Sequence, residues 1–307
     1  MRTVSLLSGL LVSLLLAGAV TAAAPQTSLD TRPETLSDQA EGNCDIENLV
    51  HNEKTHVNAD AAALNPAGIS VLNWNVYKGQ RDNWVADFRR YSNMHDVVTI
   101  QEANLGDDLI SMLDSGHPYW TLNTAFNYHD KATGVMTAST VKPVRSCGQS
   151  IAEPFIRFPK TSLISYYPVD GMTENLLVAN IHGINFTFGL GVYRTQIEKL
   201  YDVIKRHKGP VVLAGDFNTW SDERMQIVDE LAERLSLQSL DYTSHNRTIV
   251  FGNAIDHVFY RGLEAVEHDT WSVTSSDHNP MHVRFRVKDD AVLNADLAVE
   301  EYDEDNC

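Results

Sequence analysis

Short apolar runs alternate with segments of helical periodicity between residues 67 and 287. Short apolar runs bounded by turn signals are typical of buried strands. We predict strands at Ile69–Asn75, Val97–Gln101, Gly134–Ser139, Ser162–Tyr167, Leu176–Ile181, Pro210–Ala214, Val258–Tyr260 and Met281–Val287. We predict helices at Trp84–Tyr91, Leu105–Leu113, Val192–Lys208 and from an N-cap at Ser221 to Leu235. This alternation favours an α/β fold in one compact domain, residues 67–287.

Both flanks of this domain are acidic, and together they carry more than half of the formal net charge of −17. Residues 25–66 form an N-terminal flank, and residues 288–307 form a C-terminal tail. Acidic tails are usually solvated, so we expect them to lie outside the fold. A brake on non-specific binding to polyanions is the alternative. The near-neutral core neither indicates nor excludes nucleic acid as a partner.

Residues 1–24 have the pattern of a secretory signal peptide. Arg2 precedes the apolar run Val4–Val20, and small residues follow as far as Ala24. A membrane anchor is the alternative, but the run is short and no basic stop-transfer flank follows it. We therefore expect a periplasmic or extracellular protein with no stable membrane anchor after cleavage.

Three cysteines remain after that cleavage, at Cys44, Cys147 and Cys307. An oxidising compartment permits one disulfide and leaves one thiol over. A bond from Cys44 to Cys307 would tie the two flanks to the domain, whereas Cys44 could equally pair with Cys147. The sequence leaves the pairing open. The spacing does not resemble a zinc site.

Polar residues stand at the ends of several predicted strands. Asp216 and Asn218 follow the strand 210–214 in the segment G-D-F-N. Side chains alternate along an extended chain, so both should face one way while Phe217 enters the core. The other residues of this kind are Asn75, Glu102, His182, Asp256, Asp277 and His278. Open α/β sheets place their sites at the carboxyl ends of strands, so we expect these side chains to converge on one cleft.

These motifs, in this order, resemble the endonuclease/exonuclease/phosphatase superfamily with its DNase I-like fold. The matching segments are N-W-N at Asn75, Q-E at Glu102, N-I-H at His182, G-D-F-N at Asp216 and Asn218, I-D-H at Asp256, and S-D-H at Asp277 and His278. The segments N-W-N-V-Y-K and N-I-H-G-I-N-F-T-F-G are similar to a bacterial branch of that family. The resemblance covers residues 69–287. It implies a four-layer sandwich, in which two packed mixed β-sheets are flanked by helices, and metal-dependent cleavage of phosphate esters.

The implied metal ion explains part of the residue set. A phosphodiester is anionic and repels a nucleophile, so a cation must neutralise it while a base activates water. Glu102 would supply a hard oxygen ligand suited to Mg²⁺ or Mn²⁺. Asn75 would add a neutral ligand or orient Glu102, with a strand-end turn as the alternative. Asp277 would serve the metal or the phosphate side.

The remaining residues of the set would transfer protons and hold the phosphate. His278 is expected to act as general base or to hold the scissile phosphate, and Asp256 to orient it. Asp216 would activate water or protonate the leaving oxygen, and Asn218 would position the phosphate. His182 would donate a hydrogen bond to a phosphate oxygen, with a structural histidine as the alternative.

Aromatic residues near these motifs bear on the substrate. For Phe186, Phe188 and Trp220 we expect core packing, with a stacking wall beside the cleft as the alternative. His257 should point away from Asp256 along an extended strand, so we expect it to be structural. The sequence contains no dense patch of basic and aromatic residues, so it does not support tight duplex binding.

We therefore expect a secreted phosphoesterase that hydrolyses phosphodiester bonds, with nucleic acid as the leading substrate. The alternatives are a sphingomyelinase-like or small-molecule phosphate esterase and, outside catalysis, an inactive binding module. Sphingomyelinase-like members often expose an aromatic hairpin to membranes. The sequence has no clear Trp- or Phe-tipped hairpin, which disfavours a lipid substrate. An inactive module would lack a metal or base residue, whereas every position of the set carries a competent residue type.

Overall fold

The computed structural model describes residues 44, 49–52, 63–155, 158–242 and 246–288. The predicted signal peptide, most of the N-terminal flank and the C-terminal tail beyond Lys288 lie outside the described residues, as does Cys307. The predictions made for those segments therefore stay predictions. No helix in the described ranges is long and apolar enough to cross a membrane.

Two β-sheets form the centre of the fold. In chain order the strands are β1 (Leu49–His51), β2 (Ile69–Asn75), β3 (Val97–Asn104), β4 (Tyr119–Tyr128), β5 (Lys131–Ser139), β6 (Arg145–Ala152), β7 (Pro159–Tyr167), β8 (Leu176–His182), β9 (Val211–Asp216), β10 (Gln238–Ser239), β11 (Ile249–Val250), β12 (Asn253–Ala254), β13 (Asp256–Arg261), β14 (Leu263–Thr270) and β15 (Met281–Val287). The first sheet has the order β1-β4-β5-β3-β2-β15-β14, and the second has the order β10-β13-β9-β8-β7-β6. Each sheet is mixed, because β2 and β3 pair in parallel in the first and β8 and β9 in the second.

Helices cover the outer face of each sheet. They are α1 (Trp84–Ser92), α2 (Asp107–Gly116), α3 (Gly191–Ile204) and α4 (Asp222–Arg234), and a 3₁₀ turn lies at Tyr77–Gly79. α1 and α2 pack on the first sheet through a core that includes Trp74 and Phe88. α3 and α4 pack on the second sheet through a core that includes Ile197 and Leu213.

A third core lies between the two sheets. Val71 and Val97 of the first sheet are buried there against Val178 and Val212 of the second. Helix, sheet, sheet and helix therefore form four layers, and the predicted fold class is confirmed.

A polar network crosses the contact between the sheets. Asn180 on β8 accepts a hydrogen bond from Gln101 Nε2 on β3 at 2.7 Å and donates from Nδ2 to the Met136 carbonyl at 2.8 Å. Gln101 Nε2 also donates to Asn73 Oδ1 at 2.9 Å. The network links β3 to β8 close to the ends of both strands.

Seven of the strands named above were missed by the apolar pattern, namely β1, β4, β6, β10, β11, β12 and β14. β1, β6, β10 and β14 are the edge strands of the two sheets, and β14 exposes charged residues such as Glu264 and Glu267. Edge strands are commonly polar, which removes the apolar run on which the prediction depended.

Some predicted boundaries were also wrong. α2 begins at Asp107 instead of Leu105, where two aspartates in the first turn suit the positive end of the helix. α3 ends at Ile204, so Lys205, Arg206 and Lys208 lie beyond its last turn. Strand β3 continues past Gln101 to Asn104.

The structure selects one of the cysteine pairings that the sequence left open. Cys44 forms a disulfide with Cys147 on β6, with 5.5 Å between their Cα atoms. The bond fixes the segment before β1 of the first sheet to an edge strand of the second sheet.

Candidate active site

The order of the strands brings three predicted site residues side by side. His182 at the end of β8 pairs in register with Asp216 at the end of the parallel strand β9. Asp256 at the start of the antiparallel strand β13 pairs in register with Asp216 from the other side. Asp216 therefore lies between His182 and Asp256 at one edge of the second sheet, as expected for strand-end residues.

His278 completes this group from the first sheet. Its Nδ1 lies 2.8 Å from Asp256 Oδ2, and its Nε2 lies 3.7 Å from Asp216 Oδ2. The loop before β15 holds it in place, because Trp74 Nε1 donates to the His278 carbonyl at 2.9 Å and Ser276 Oγ donates to the Asn75 carbonyl at 2.6 Å. The cleft thus draws on the ends of both sheets.

Burial and neighbouring charges together raise the pKa of both Asp216 and His278. Burial raises the pKa of Asp216 to about 6; the charge of His278 opposes this rise and that of Asp256 adds to it. Burial lowers the pKa of His278, but the carboxylates of Asp256 and Asp216 outweigh it and raise the pKa to about 10. His278 is therefore the cation of the group near neutral pH, and the raised pKa brings Asp216 closer to neutrality than an ordinary aspartate.

Two asparagines fix the carboxylate of Asp216. Asn75 Nδ2 donates to Asp216 Oδ2 at 3.1 Å, and the backbone N–H of Asn218 donates to Oδ1 at 3.0 Å. Asn218 adopts a left-handed backbone with φ 53°, and its Nδ2 donates to the Gly183 carbonyl at 3.0 Å. Phe217, which lies between Asp216 and Asn218 in the sequence, is fully buried, as predicted.

Glu102 reaches the same cleft through an irregularity in β3. The register with β5 shifts between Ile100 and Ala103, and Glu102 has φ 54°. A bulge of this kind re-aims a side chain, and bulges are common next to active sites. The expectation that Glu102 follows the end of its strand is therefore wrong, because the strand continues through the bulge to Asn104.

Lys160 is a site residue that the sequence analysis missed. Its Nζ lies 2.5 Å from His182 Nε2, and His182 Nε2 lies 3.5 Å from Asp216 Oδ2 and 4.0 Å from Glu102 Oε1. Lys78 forms an ion pair with Glu102 on the same side. Nothing in the segment P-K-T-S separates Lys160 from an ordinary surface lysine, since only the pairing of β7 with β8 brings it to His182.

His182 is buried and Lys160 is partly buried, with both acidic and basic side chains around them. Burial, followed by the charge of Lys160, lowers the pKa of His182 well below its usual value. Burial also lowers the pKa of Lys160, while the charges of Asp216 and Glu102 oppose that shift. A neutral His182 therefore accepts a hydrogen bond at Nε2 from the Lys160 ammonium group.

Carboxylates in the cleft can hold a metal ion. Asp216 and Asp256 each offer an oxygen, and these atoms lie within 4.8 Å of one another and of a ring nitrogen of His278, which is protonated near neutral pH and therefore donates hydrogen bonds instead of binding a cation. Carboxylate oxygen donors suit hard divalent cations, so the residues present fit such an ion.

The three residues predicted from the sequence as metal ligands lie at different places around this group of side chains. Asn75 touches the group through Asp216, and Glu102 lies on its His182 side. Asp277 is exposed and influences the cleft through its charge, which raises the pKa of His278. The assignment of these three as ligands stays a prediction.

His257 lies away from the cleft, in keeping with the structural position expected for it. Its ring is buried, and its Nε2 lies 2.7 Å from Thr219 Oγ1 and 3.1 Å from the Ala254 carbonyl oxygen. Burial lowers its pKa to about 4, so the ring is neutral near pH 7.

Several phenylalanines near the cleft are exposed, and their positions contradict two expectations from the sequence. Phe186 and Phe188 are 57% and 88% exposed, so their predicted core packing is wrong. Phe155 and Phe158 lie between β6 and β7 and are 52% and 54% exposed. The expectation that no Phe-tipped hairpin exists is therefore wrong as well, and Phe155 packs edge-on against Phe188 with 4.5 Å between ring centroids.

Trp220 is only partly buried and lies near this exposed face. Its Nε1 donates to Asn185 Oδ1 at 3.0 Å, and its ring stacks under the Arg224 guanidinium, 4.3 Å from the centroid. It therefore braces the loop after β8 more than it fills a core.

Comparison with known proteins identifies the family. Residues 72–278 match the model of the Endonuclease/Exonuclease/phosphatase family. The chain belongs to this family. The name covers nucleases and phosphatases, which hydrolyse phosphate esters, and the resemblance seen in the sequence is confirmed. A UPF0294 protein from Vibrio campbellii (strain ATCC BAA-1116) is 39% identical over 224 residues, covering 72% of this chain and 78% of the relative.

Solved structures show the same family fold. The human Nocturnin catalytic domain with bound sulfate anion has a TM-score of 0.57 and 15% identity, covering 74% of this chain and 97% of that one. D. rerio TDP2 complexed with single strand DNA product has a TM-score of 0.52 and 19% identity, covering 71% and 98%. At such identities the likeness establishes the fold of the endonuclease/exonuclease/phosphatase family alone.

Proposed function

We propose that this chain is a divalent-metal-dependent phosphodiesterase that cleaves nucleic acid. One observation carries the proposal: the paired His278 and Asp256 face Asp216 across 3.7 Å, beside His182, in a cleft at the strand ends. A nuclease of this family needs cationic and proton-transferring groups around one phosphate. Support also comes from D. rerio TDP2, a protein of this fold that was solved in complex with a single strand DNA product.

The chain's own residues divide the chemistry between them. Asp256 fixes the imidazole of His278 at Nδ1, so that Nε2 points into the cleft as a donor to a phosphate oxygen. Asp216, with its pKa raised to about 6, exchanges a proton near neutrality and acts on the attacking water or the leaving oxygen. Lys160 and Asn218 hold the remaining phosphate oxygens.

Asn75, Glu102 and Asp277 remain our proposed metal ligands, with Asp216 and Asp256 offering further carboxylate oxygens. A bound Mg²⁺ or Mn²⁺ would supply charge neutralisation at the phosphate. Glu102 already attracts one cation, because it forms an ion pair with Lys78. This supports the proposal that its carboxylate can also attract a metal ion.

We also propose that the enzyme works in the periplasm or outside the cell. The signal-peptide pattern of residues 1–24 supports this location, and so does the Cys44–Cys147 disulfide, since such bonds persist in oxidising compartments. After cleavage of the leader no stable membrane anchor is expected.

A lipid phosphodiester is the second candidate substrate. The exposed pair Phe155 and Phe188 favours it, because exposed aromatic side chains beside a cleft suit a membrane interface. Small phosphate monoesters are the remaining catalytic alternative.

The test is hydrolysis by the purified mature chain of duplex DNA, single-stranded DNA, RNA, sphingomyelin and inositol phosphates. Each substrate is incubated with Mg²⁺, Mn²⁺, Ca²⁺ or EDTA, next to the variant His278→Ala. We expect cleavage of nucleic acid that requires Mg²⁺ or Mn²⁺ and falls at least about a hundredfold in the variant.

Cleavage restricted to sphingomyelin or inositol phosphates would contradict nucleic acid as the substrate but would leave the proposed active site in place. Turnover in EDTA at the full rate would contradict the metal ion. Absence of turnover on every substrate, by a chain whose circular dichroism is that of a folded protein, would favour an inactive binding module.

A further inference from the structure

A pocket of about 230 Å³ opens next to the candidate active site. Its inner end shares Glu102 and His182 with that site, and its outer part is formed by Phe126, Phe158 and Phe186. Pockets that enclose a whole drug-sized ligand measure about 300–1,000 Å³, so this one suits a single part of a larger substrate. A group joined to a phosphate held at the site would extend into it.

The aromatic walls of the pocket come from separate parts of the fold. Phe126 lies on β4, Phe158 precedes β7, and Phe186 follows β8. The rings of Phe126 and Phe158 lie 5.0 Å apart between centroids. More than half of Phe158 and of Phe186 is exposed. Single exposed phenylalanines need no explanation, but their convergence on one cavity indicates a flat, apolar ligand surface.

A buried carboxylate supplies the polar feature of the pocket. Glu153 is fully buried and lines the pocket. Its Oε1 accepts the backbone N–H groups of Asn185, at 2.7 Å, and Phe186. Its Oε2 has no hydrogen-bond partner among the residues that the structure describes. A buried carboxylate oxygen without a donor is costly, so a ligand N–H at this position would stabilise the complex.

We propose that this pocket binds a nucleobase with an exocyclic amino group, such as adenine or cytosine, in the nucleotide next to the scissile phosphate. The base stacks on the phenylalanine rings, and its amino group donates to Glu153 Oε2. Lys160, at the inner end of the pocket, holds the phosphate of the same nucleotide. The inference rests on the proposed nuclease function and names the part of the substrate that the site selects.

Charge distinguishes a base from an acyl chain as the occupant. Lys78, Lys160, Glu102 and Glu153 all line the pocket. An acyl chain would bury these charged groups without giving them hydrogen bonds, which is unfavourable. An amino-bearing ring offers apolar faces to the phenylalanines and a polar edge to the charged groups.

The first experiment measures binding without relying on turnover. The mature chain in Mg²⁺ is titrated calorimetrically with AMP, CMP, purine riboside 5′-monophosphate, which lacks the amino group, and ribose 5-phosphate, which lacks the base. We expect AMP or CMP to bind about tenfold more tightly than ribose 5-phosphate, with the purine riboside in between. Phe158→Ala should bring AMP to the level of ribose 5-phosphate.

The control variant is Phe251→Ala, because Phe251 is 86% exposed and does not line the pocket. It should leave all four affinities unchanged. Equal binding of AMP, CMP and ribose 5-phosphate would overturn the proposal. Binding to phosphatidylcholine vesicles that Phe158→Ala removes and Phe251→Ala retains, with no preference for AMP or CMP, would overturn it in favour of a lipid.

A second experiment separates this inference from the proposed function. Cleavage of a single-stranded oligonucleotide of adenine and cytosine is compared with that of an equal strand built from tetrahydrofuran abasic units. Faster cleavage of the base-bearing strand, lost in Phe158→Ala, supports both proposals. Equal cleavage of the two strands keeps the nuclease and overturns the base pocket. No cleavage, together with tighter binding of AMP, keeps the pocket and overturns the nuclease.

Discussion

At the scale of single residues, two carboxylates decide the charge of His278. Burial alone would favour the neutral imidazole, and the pKa nevertheless rises to about 10 because Asp256 and Asp216 stabilise the cation. Asp256 contributes both its charge and a hydrogen bond of 2.8 Å to Nδ1. Because His278 stays cationic near neutral pH, it is suited to holding a phosphate, and we assign the proton transfer to Asp216.

Replacement of Asp256 by asparagine should therefore lower the pKa of His278. We expect a fall of about 1 to 3 for Asp256→Asn, because the imidazolium loses a buried carboxylate within hydrogen-bond distance. His278 would then lose its proton at a lower pH than in the unmodified chain. The measurement is an NMR titration of the imidazole in the metal-free protein between pH 5 and about 11.

Asp277→Asn is the matched control for that titration. Asp277 also raises the pKa of His278, but it is exposed, so water screens its charge. Its replacement should produce the smaller fall. A larger fall in Asp277→Asn than in Asp256→Asn would contradict the assignment of Asp256 as the residue that orients His278.

At the scale of secondary-structure elements, the network of Asn180, Gln101 and Asn73 fixes β8 against β3 beneath the cleft. All three side chains are buried, and Gln101 donates both to Asn73 within the first sheet and to Asn180 across to the second. The network fixes the position of β8, which ends at His182, relative to β3, which bulges at Glu102. Apolar contacts alone would specify the relative position of the two sheets less strictly.

Removal of Asn180 should destabilise the fold. Asn180→Leu leaves the Met136 carbonyl without its donor and Gln101 with one partner fewer, so we expect the free energy of unfolding to fall by about 1–3 kcal/mol. Urea denaturation at constant pH measures it. The double variant Asn180→Leu with Gln101→Leu should recover part of the loss, since both polar partners are then gone. Strict additivity of the two single changes would contradict the coupling.

At the scale of the whole molecule, the disulfide joins parts of the chain that are distant in sequence. Cys44 and Cys147 are 103 positions apart. In the sequence Cys44 precedes β1 of the first sheet, and Cys147 lies on β6, an edge strand of the second sheet. A cross-link over so long a loop restricts the unfolded chain strongly.

Loss of this bond should lower stability without changing the site. For Cys44→Ser we expect the free energy of unfolding to fall by about 2–5 kcal/mol, the range usual for loss of a native disulfide. Cys307→Ser is the control and should leave the urea midpoint unchanged. A large loss in Cys307→Ser, with none in Cys44→Ser, would indicate a different pairing. Addition of a reducing agent should lower the midpoint of the unmodified chain to that of Cys44→Ser.

Sequence patterns predicted the strands at whose ends the site residues lie, and they missed the edge strands of both sheets. β2, β8 and β9 are buried along their whole length and are mostly apolar, whereas β15 alternates apolar with polar residues and exposes only two of its positions. β6 and β14 lie at sheet edges, where polar residues interrupt the run. The site residues near the ends of these strands were found for the same reason, because each lies next to a local apolar signal or within a short motif.

Residues that reach the site through tertiary contacts had no such signal. Lys160 comes to His182 only through the pairing of β7 with β8. Glu153 is one of several glutamates in the sequence until the fold buries it beside Phe186. The exposure of Phe188 was predicted wrongly, because an apolar side chain is expected inside and only the packed structure tells where the core stops.

The sequence by itself determined the α/β class, the family and the set of polar groups at the strand ends, since apolar runs and short motifs are local properties of the chain. The tertiary structure alone decided the Cys44–Cys147 pairing, the bulge that directs Glu102, and the aromatic pocket beside the site. Each of these depends on contacts between residues far apart in sequence. The interactions that stabilise these features form only when the two sheets pack together, so no local sequence pattern predicts them.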